Sequence, residues 1–259
     1  GVNFSGGNAN NNTVGGTGTG EGNIISGNNN GSGSGRGVYI GSGDNNNVIL
    51  GNMIGPGADS LNLSGNTQEY GVYLYNAYSN TIGGSAAGAG NVISANLGRG
   101  VYMTASSCTL NVIRGNRIGP APDGVSFISG SSQDYGVYLD ASASNNAIGG
   151  SAPGEVNIIA FNEQYGVYIT GAATRYNLIA RNPIYNTVSS MTEAIGLVSS
   201  GNSNYQSNPS ATVITNVTTT SAGGTGANDG DSVEVFTSDG GCINALQYLG
   251  TTVVSGGIW

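Results

Sequence analysis

The sequence has no histidine, and only 8% of its 259 residues are charged. Ordinary globular chains carry about 25% charged residues. Lysine is also absent, so all the basic residues are arginine, and the net charge is -8. Phosphate binding needs clustered Lys and Arg, and this balance therefore argues against a nucleic-acid partner. Neutral amides and hydroxyls must take the place of charge on the surface.

Long apolar runs are missing as well, and no stretch approaches the roughly 18 residues of a membrane span. We therefore expect no membrane insertion. No charged-then-apolar leader precedes the first repeat, so a signal peptide has been removed or never belonged to this chain. The two cysteines, Cys108 and Cys242, do not reveal from sequence whether they pair. The amide- and hydroxyl-rich composition favours an extracellular or cell-surface protein.

A four-residue phrase recurs through the chain. Gly, Val, Tyr and a large apolar residue follow one another at residues 37–40, 71–74, 100–103, 136–139 and 166–169, and residues 1–4 are a degenerate copy. Between copies lie two further apolar pairs, each introduced by Asn. Two kinds of turn alternate, so a longer period of about 66 residues overlies the short one.

Short apolar runs bounded by Asn and Gly are typical of strands and turns. Three such strands per repeat, with no helical periodicity, predict a coil that winds around a central core and pairs with the next coil in parallel. Six or seven coils about 4.8 Å apart would form a rod. The Asn residues that open the strands are predicted to stack in hydrogen-bonded columns, in addition to their ordinary preference for turns.

The phrases Asn-Thr-Ile-Gly-Gly, Asn-Val-Ile-Ser-Ala-Asn, Gly-Val-Tyr and Gly-Asn-Arg-Ile-Gly resemble the right-handed parallel β-helix repeats of large secreted and surface proteins. The resemblance covers residues 1–198, with a linker at 199–210. Residues 211–259 are similar to part of a bacterial immunoglobulin-like module, through segments 212–217, 231–236 and 248–259. The resemblance implies an all-β fold, a right-handed parallel β-helix (β-solenoid) with a small sandwich-like segment after it.

Pectate lyases and polygalacturonases share the β-helix fold, and their sites resemble clustered Asp with calcium and a basic residue, or Asp flanked by His and Arg or Lys. The phrases that mark the hydrolases are not found here, so we expect no enzyme and assign no catalytic residue. The best acid pair is Glu69 and Asp134, on equivalent insertions 55–70 and 119–135, where Asp59 also matches Asp123. Two coils would separate the pair by about 10 Å, a spacing used by inverting glycosidases. Solvated loop charges are the simpler interpretation.

A cofactor is not expected, and no metal ligands are assigned. A structural calcium is the alternative, with oxygen ligands from Asp229, Asp231 and Asp239 or from the insertion loops. No Asp-x-Asp-x-Asp-Gly loop or glycine-rich nonapeptide array supports it.

The tyrosines are predicted to form two outward columns, because side chains alternate across a strand. One column is Tyr39, Tyr73, Tyr102, Tyr138 and Tyr168, and its neighbour is Arg36, Tyr70, Arg99, Tyr135 and Tyr165. Arg between Tyr rings would make cation–π contacts. Two interpretations stay open: stacked aromatics that stabilise the rod, or an aromatic stripe that contacts glycan or another subunit.

Glycosylation sequons begin at Asn3, Asn11, Asn30, Asn62 and Asn216. The first coil has no predicted cap, and we expect the last module to lack its last strand, which favours pairing with another copy. We therefore predict a non-catalytic extracellular structural or adhesive solenoid that self-assembles head to tail into a filament or surface layer. A cut from a longer chain would explain both ends equally well. The alternative function is a polysaccharide-binding or polysaccharide-cleaving module, which convergence of Glu69, Asp134 or Asp140 beside the tyrosines would favour.

Overall fold

The computed structural model is all-β. It describes residues 1–29, 34–57, 68–129, 131, 133–185, 193–198, 213–217, 222–225, 232–237, 247–253, 255 and 258. Asn30, Asn62, Asp59, Asp229, Asp231, Asp239, Cys242 and the 199–210 linker lie outside the described residues. Within the described part, no helix is long and apolar enough to cross a membrane.

Six coils of three short strands each follow one another in the part of the chain that the structure describes. They are β1 (Val2–Phe4), β2 (Thr13–Gly15) and β3 (Ile24–Ile25); β4 (Arg36–Ile40), β5 (Val48–Leu50) and β6 (Met53–Ile54); β7 (Tyr70–Tyr75), β8 (Thr81–Gly83) and β9 (Val92–Ile93); β10 (Arg99–Thr104), β11 (Val112–Arg114) and β12 (Arg117–Ile118); β13 (Tyr135–Leu139), β14 (Ala147–Gly149) and β15 (Ile158–Ala160); β16 (Tyr165–Thr170), β17 (Leu178–Ala180) and β18 (Ile184–Tyr185). A further strand, β19 (Glu193–Val198), pairs with β16.

The strands form three parallel sheets that run the length of the rod. The first sheet contains the first strand of every coil and β19, the second sheet contains the second strands, and the third sheet contains the third strands. Every pairing between coils is parallel and joins the same position of successive repeats. This confirms the predicted parallel β-helix, in which the connections between parallel strands are right-handed as in nearly all known cases.

Two antiparallel pairs follow in the chain. Strand β20 (Val213–Val217) pairs with β21 (Ala222–Thr225), and β22 (Ser232–Thr237) pairs with β23 (Gln247–Val253). Each pairing contains one irregularity of register. The resemblance to an immunoglobulin-like module stays a prediction.

The core consists of like residues stacked on like. Val and the fourth residue of each Gly-Val-Tyr phrase are fully buried, as are the central isoleucines of the second and third sheets in the second to fifth coils. The buried stack of the fourth coil, for example, is Val101, Met103, Ile113 and Ile118. No coil can bury this face by itself, so each depends on its neighbours for its hydrophobic stabilisation.

The glycine of each phrase is required by close approach. Gly100 and Val101 are both buried, so the inward–outward alternation breaks at this point and the strand bends around the core. A Cβ at Gly100 would lie 2.8 Å from Ile118 Cγ2 and 2.7 Å from the Gly136 carbonyl oxygen. Any larger residue would therefore force the first and third sheets apart.

Two columns of asparagines run along the corners of the rod, and all of them are buried except Asn12, Asn23 and Asn177 in the terminal coils. One precedes the second sheet (Asn12, Asn47, Asn80, Asn111, Asn146, Asn177) and the other precedes the third (Asn23, Asn52, Asn91, Asn116, Asn157, Asn182). In each column the Nδ2 of one coil donates to the Oδ1 of the next over 2.9–3.2 Å. The same Oδ1 also accepts the backbone N–H of the preceding Asn. The predicted amide stacking is thus confirmed.

A third amide column was not predicted. It precedes the first sheet and alternates Asn with Gln: Asn28, Gln68, Asn96, Gln133 and Asn162, joined over 2.7–3.0 Å. Gln133 lies two residues before the outward residue of its strand, whereas Asn96 and Asn162 lie three residues before theirs. The additional methylene of Gln compensates for this difference in backbone position.

Residues with a left-handed backbone conformation turn the chain into the Asn column that precedes the second sheet. The residue before each Asn of the column that precedes the second sheet has φ between 55° and 61°. Three of the six, Asn11, Asn46 and Asn145, are Asn, which tolerates this conformation. Leu110 and Tyr176 adopt it as well, although bulky residues rarely do. The bonds of the amide column must offset that local cost.

We expect Asn116→Ala to lower the free energy of unfolding by about 3 kcal/mol or more, because several buried polar groups lose their partner at once. Asn116 accepts from Asn91 and donates to the Ile82 carbonyl and to Asn157. Equilibrium urea unfolding measures the change. The control is Asn3→Ala, an exposed residue whose replacement should stay within about 0.5 kcal/mol. Equal effects of the two variants would contradict the assigned role of the column.

Candidate functional site

The outward face of the first sheet carries the two columns singled out in the sequence. Their register is direct: Tyr39, Tyr73, Tyr102, Tyr138 and Tyr168 pair in succession, and so do Arg36, Tyr70, Arg99, Tyr135 and Tyr165. All ten residues are half-buried. We call these ten residues the tyrosine–arginine seam.

Arginine inserts between tyrosine rings of successive coils. The Arg36 guanidinium lies 4.6 Å from the Tyr39 ring centroid and 4.7 Å from that of Tyr73. Arg99 lies 4.6 Å from Tyr102 and 4.4 Å from Tyr138 in the same way. Both Tyr pairs that enclose an Arg are edge-to-face, with interplanar angles of 69° and 77°. The cation thus occupies the space that a stacked ring would need.

Where the neighbouring column holds Tyr instead, the rings stack. Tyr73 and Tyr102 are 4.8 Å apart with an interplanar angle of 21°, and Tyr70 lies against both. In the corresponding place two coils further on, Tyr135 meets Tyr138 edge-on and Tyr168 at 49°, and the Tyr138 and Tyr168 rings are tilted by 34° to each other. Ring faces are therefore occupied by other rings or by guanidinium groups. Solvent meets mainly their edges and hydroxyls.

Asp140 adds a carboxylate to one side of the seam. It follows β13 directly, and both of its oxygens accept from the Tyr102 hydroxyl, at 3.0 and 3.2 Å. Burial, together with the nearby Asp140 charge, raises the pKa of Tyr102 well above its ordinary value. Sequence reasoning named Asp140 but did not predict this bond, which joins different coils.

The acid pair lies at the other end of the same strands. Asp134 precedes β13 and Asp140 follows it, so Glu69, Asp134 and Asp140 do not converge. The Glu69 carboxylate lies over Gly98, its Cδ 2.9 Å from where a Cβ of that residue would be. Burial, and secondarily the charge of Asp134, raise the pKa of Glu69, while Arg99 opposes them. Asp123, in contrast, is exposed and accepts bonds within its own turn.

One buried acid was missed in the sequence. Asp44 is fully buried at the corner between the first and second sheets, where Ala77, Cys108 and Ala143 occupy the equivalent place. Its Oδ1 accepts the Ala9 N–H at 2.9 Å, and its Oδ2 has no partner among the described residues. The only sequence signal is its position, three residues before a column Asn.

The other sequence candidates lie apart from the seam. Asn3 and Asn11 are exposed, and Asn216 lies in β20. Cys108 is buried and has no disulfide partner among the described residues, and burial raises the pKa of its thiol to about 12. In the described part of the chain, no three His, Cys, Asp or Glu side chains come together as a metal site would require. The calcium suggested above stays a prediction.

We expect the protein to lose stability above about pH 10, the ordinary pKa of tyrosine. Burial raises the pKa values of Tyr73, Tyr102, Tyr135, Tyr138 and Tyr185 in the fold. Tyrosines of the unfolded chain ionise first, so the free energy of the unfolded state falls relative to that of the fold as pH rises from 10 towards the folded pKa values. Ultraviolet titration of phenolate, followed alongside circular dichroism, measures this. Simple titration of every tyrosine near pH 10 with the fold intact would contradict it.

No family model, curated protein or solved structure matches this chain. The resemblance to β-helix surface proteins therefore rests on the repeat phrases alone. The functional argument rests on the geometry of the seam and of the acids beside it.

Proposed function

We propose that this chain is a non-catalytic structural or adhesive β-solenoid of the extracellular space or cell surface, which associates with other copies of itself. The observation that carries the proposal is the seam. It commits ten large side chains on one face to contacts along the rod axis. Contacts of this kind along one face stiffen the rod and give its side a regularly repeating surface.

Rigidity along the axis supports a structural role. Three amide columns, three parallel sheets and the seam all connect each coil to the next. In repeat proteins, stability is a sum of such nearest-neighbour terms, so length can grow without a new core. A composition rich in amides and hydroxyls and poor in charge supports the extracellular assignment.

The solvent-exposed parts of the seam side chains support self-association. Half-buried tyrosines present apolar ring edges and hydroxyls that both donate and accept, a combination enriched at protein interfaces. Two copies related by a two-fold axis would bring the same hydroxyls together, since an isologous interface is self-complementary. The head-to-tail mode stays a separate prediction about the ends of the rod.

The test compares single hydroxyl deletions within and outside the seam. Tyr73→Phe and Tyr168→Phe keep the rings and should each raise the dissociation constant of self-association roughly fivefold. Tyr176→Phe removes a hydroxyl from a tyrosine that is 63% exposed and outside the seam, and should change nothing. Light scattering after size exclusion and electron microscopy over a concentration series are the measurements. A monomer at every concentration, without filaments, would overturn the proposal.

A polysaccharide-binding or polysaccharide-cleaving module is the second candidate. The observation in its favour is Glu69, whose carboxylate reaches over Gly98 and interacts electrostatically with Asp134. A raised pKa suits the general acid of a glycosidase, with the second carboxylate as the base. Tyr70 and Tyr135 adjoin the two acids directly.

Release of reducing ends or of unsaturated sugars from a panel of polysaccharides tests this candidate. If the pair is catalytic, Glu69→Gln and Asp134→Asn should each lower the rate at least about 100-fold. Asp123→Asn, in the exposed turn of the same insertion, is the matched control. A wild-type protein that releases no product, or variants that match the wild type, would remove the catalytic form of this candidate.

A further inference from the structure

The tyrosines of the seam form an unbroken series of ring contacts. The path Tyr39, Tyr73, Tyr102, Tyr138, Tyr168 has centroid separations of 5.5, 4.8, 5.5 and 5.1 Å. Tyr70, Tyr135 and Tyr165 join it from the neighbouring column at 4.7–5.2 Å. Electron transfer falls off exponentially with distance, and rings in van der Waals contact exchange an electron readily. An oxidising equivalent placed on one ring can thus reach the others.

The hydrogen-bond acceptor of each phenol determines which tyrosine ring holds the oxidising equivalent. A phenol that loses an electron becomes a strong acid, so its radical is stable only once the proton has moved away. The Tyr102 hydroxyl already donates to the Asp140 carboxylate at 3.0 Å. Tyr135 donates to the Gln164 amide oxygen at 2.7 Å, which is a far weaker base. The Tyr70 oxygen instead accepts a bond from Arg99.

Nearby cations do not separate Tyr102 from its neighbour Tyr138. Arg99 lies 4.6 Å from the Tyr102 ring and 4.4 Å from the Tyr138 ring, so its charge disfavours oxidation of both to a similar extent. Arg36 is next to Tyr39 and Tyr73. The carboxylate of Asp140 distinguishes Tyr102 within the seam. The other acid near the seam, Glu69, lies two coils away in chain order and at the opposite end of the strands.

We propose that the seam is a one-electron relay that collects oxidising equivalents at Tyr102, with Asp140 as the proton acceptor. A one-electron oxidant, such as an oxidised metal complex or a peroxidase-derived radical, takes one electron from a seam phenol. The electron deficit moves to Tyr102, whose O–H proton passes to Asp140 and leaves a neutral tyrosyl radical. A small reductant later returns the electron, and the proton returns from Asp140 to the phenol oxygen.

The relay would shield oxidisable groups beneath the sheet. Met103 follows Tyr102 in β10 and is fully buried, and Cys108 is buried in the same coil. A tyrosyl radical on Tyr102 is half-exposed and can be reduced again by small molecules. The oxidising equivalent therefore does not reach these sulfurs. This role is independent of self-association and of glycan binding.

Photo-oxidation of the 259-residue chain tests the relay. Ruthenium tris-bipyridyl with a cobalt(III) quencher supplies the oxidant, and electron paramagnetic resonance detects the radical. A nitroso spin trap followed by peptide mass spectrometry locates it. Trp259 lies outside the described residues, and its radical is recognised by its own spectrum. We expect most of the trapped tyrosyl radical on Tyr102.

Two variants and a control make the outcome decisive. Asp140→Asn keeps the shape but removes the base, and should lower trapping at Tyr102 roughly tenfold or more. Tyr102→Phe should move the radical to other seam tyrosines. Tyr176→Phe alters an exposed tyrosine outside the seam and should leave trapping at Tyr102 unchanged. Circular dichroism checks that each variant is folded. Even trapping over all tyrosines, preference for the exposed Tyr176, or no effect of Asp140→Asn would each overturn the proposal.

Discussion

The hydrogen bond between side-chain amides of successive coils is the interaction on which this rod depends. A β-helix must turn the chain at every corner, and each corner leaves polar groups inside the rod. An Asn such as Asn116 carries two N–H donors and an oxygen with two acceptor sites, so one side chain satisfies both the coil before it and the coil after it. A half-made column would leave buried groups unpaired, which costs more than the bonds gain. This explains why the columns continue through every described coil, even where the preceding residue is Leu110 or Tyr176 in a left-handed conformation.

The amide columns also set the axial register, and the register creates the seam. Once each coil lies one strand spacing from the next, a residue type repeated in sequence becomes a continuous column in space. The period of approximately 66 residues then determines which side chains meet along the seam. Arg36 and Arg99 are two coils apart and open the tyrosine pairs next to them. Next to Tyr70 and Tyr135, in the alternate coils, the paired rings lie closer to parallel, at 21° and 34°. The same alternation gives Gln rather than Asn in the third amide column.

Much of this fold could be predicted from the sequence because its units are local. The Asn that opens each apolar pair and the Gly-Val-Tyr phrase are contiguous, so both amide columns before the second and third sheets and both seam columns could be predicted by residue number. The third amide column could not, since Gln133 differs from Asn96 both in type and in its distance to the strand. Contacts such as that of Tyr102 with Asp140 depend on the turn after each strand, and those turns differ in length from coil to coil.

The orientation of the rings limits what the seam can contact. A sugar ring binds aromatic side chains best on an open face, and the faces of the seam are occupied by neighbouring rings or by Arg36 and Arg99. Glycan contact would therefore have to use hydroxyls and ring edges, together with Glu69 and Asp134 beside them. Self-association and one-electron transfer need only those edges and the contacts between rings. The stacking that stiffens the rod thus favours a surface that meets a like surface, or that passes charge along its length, over one that encloses a single sugar.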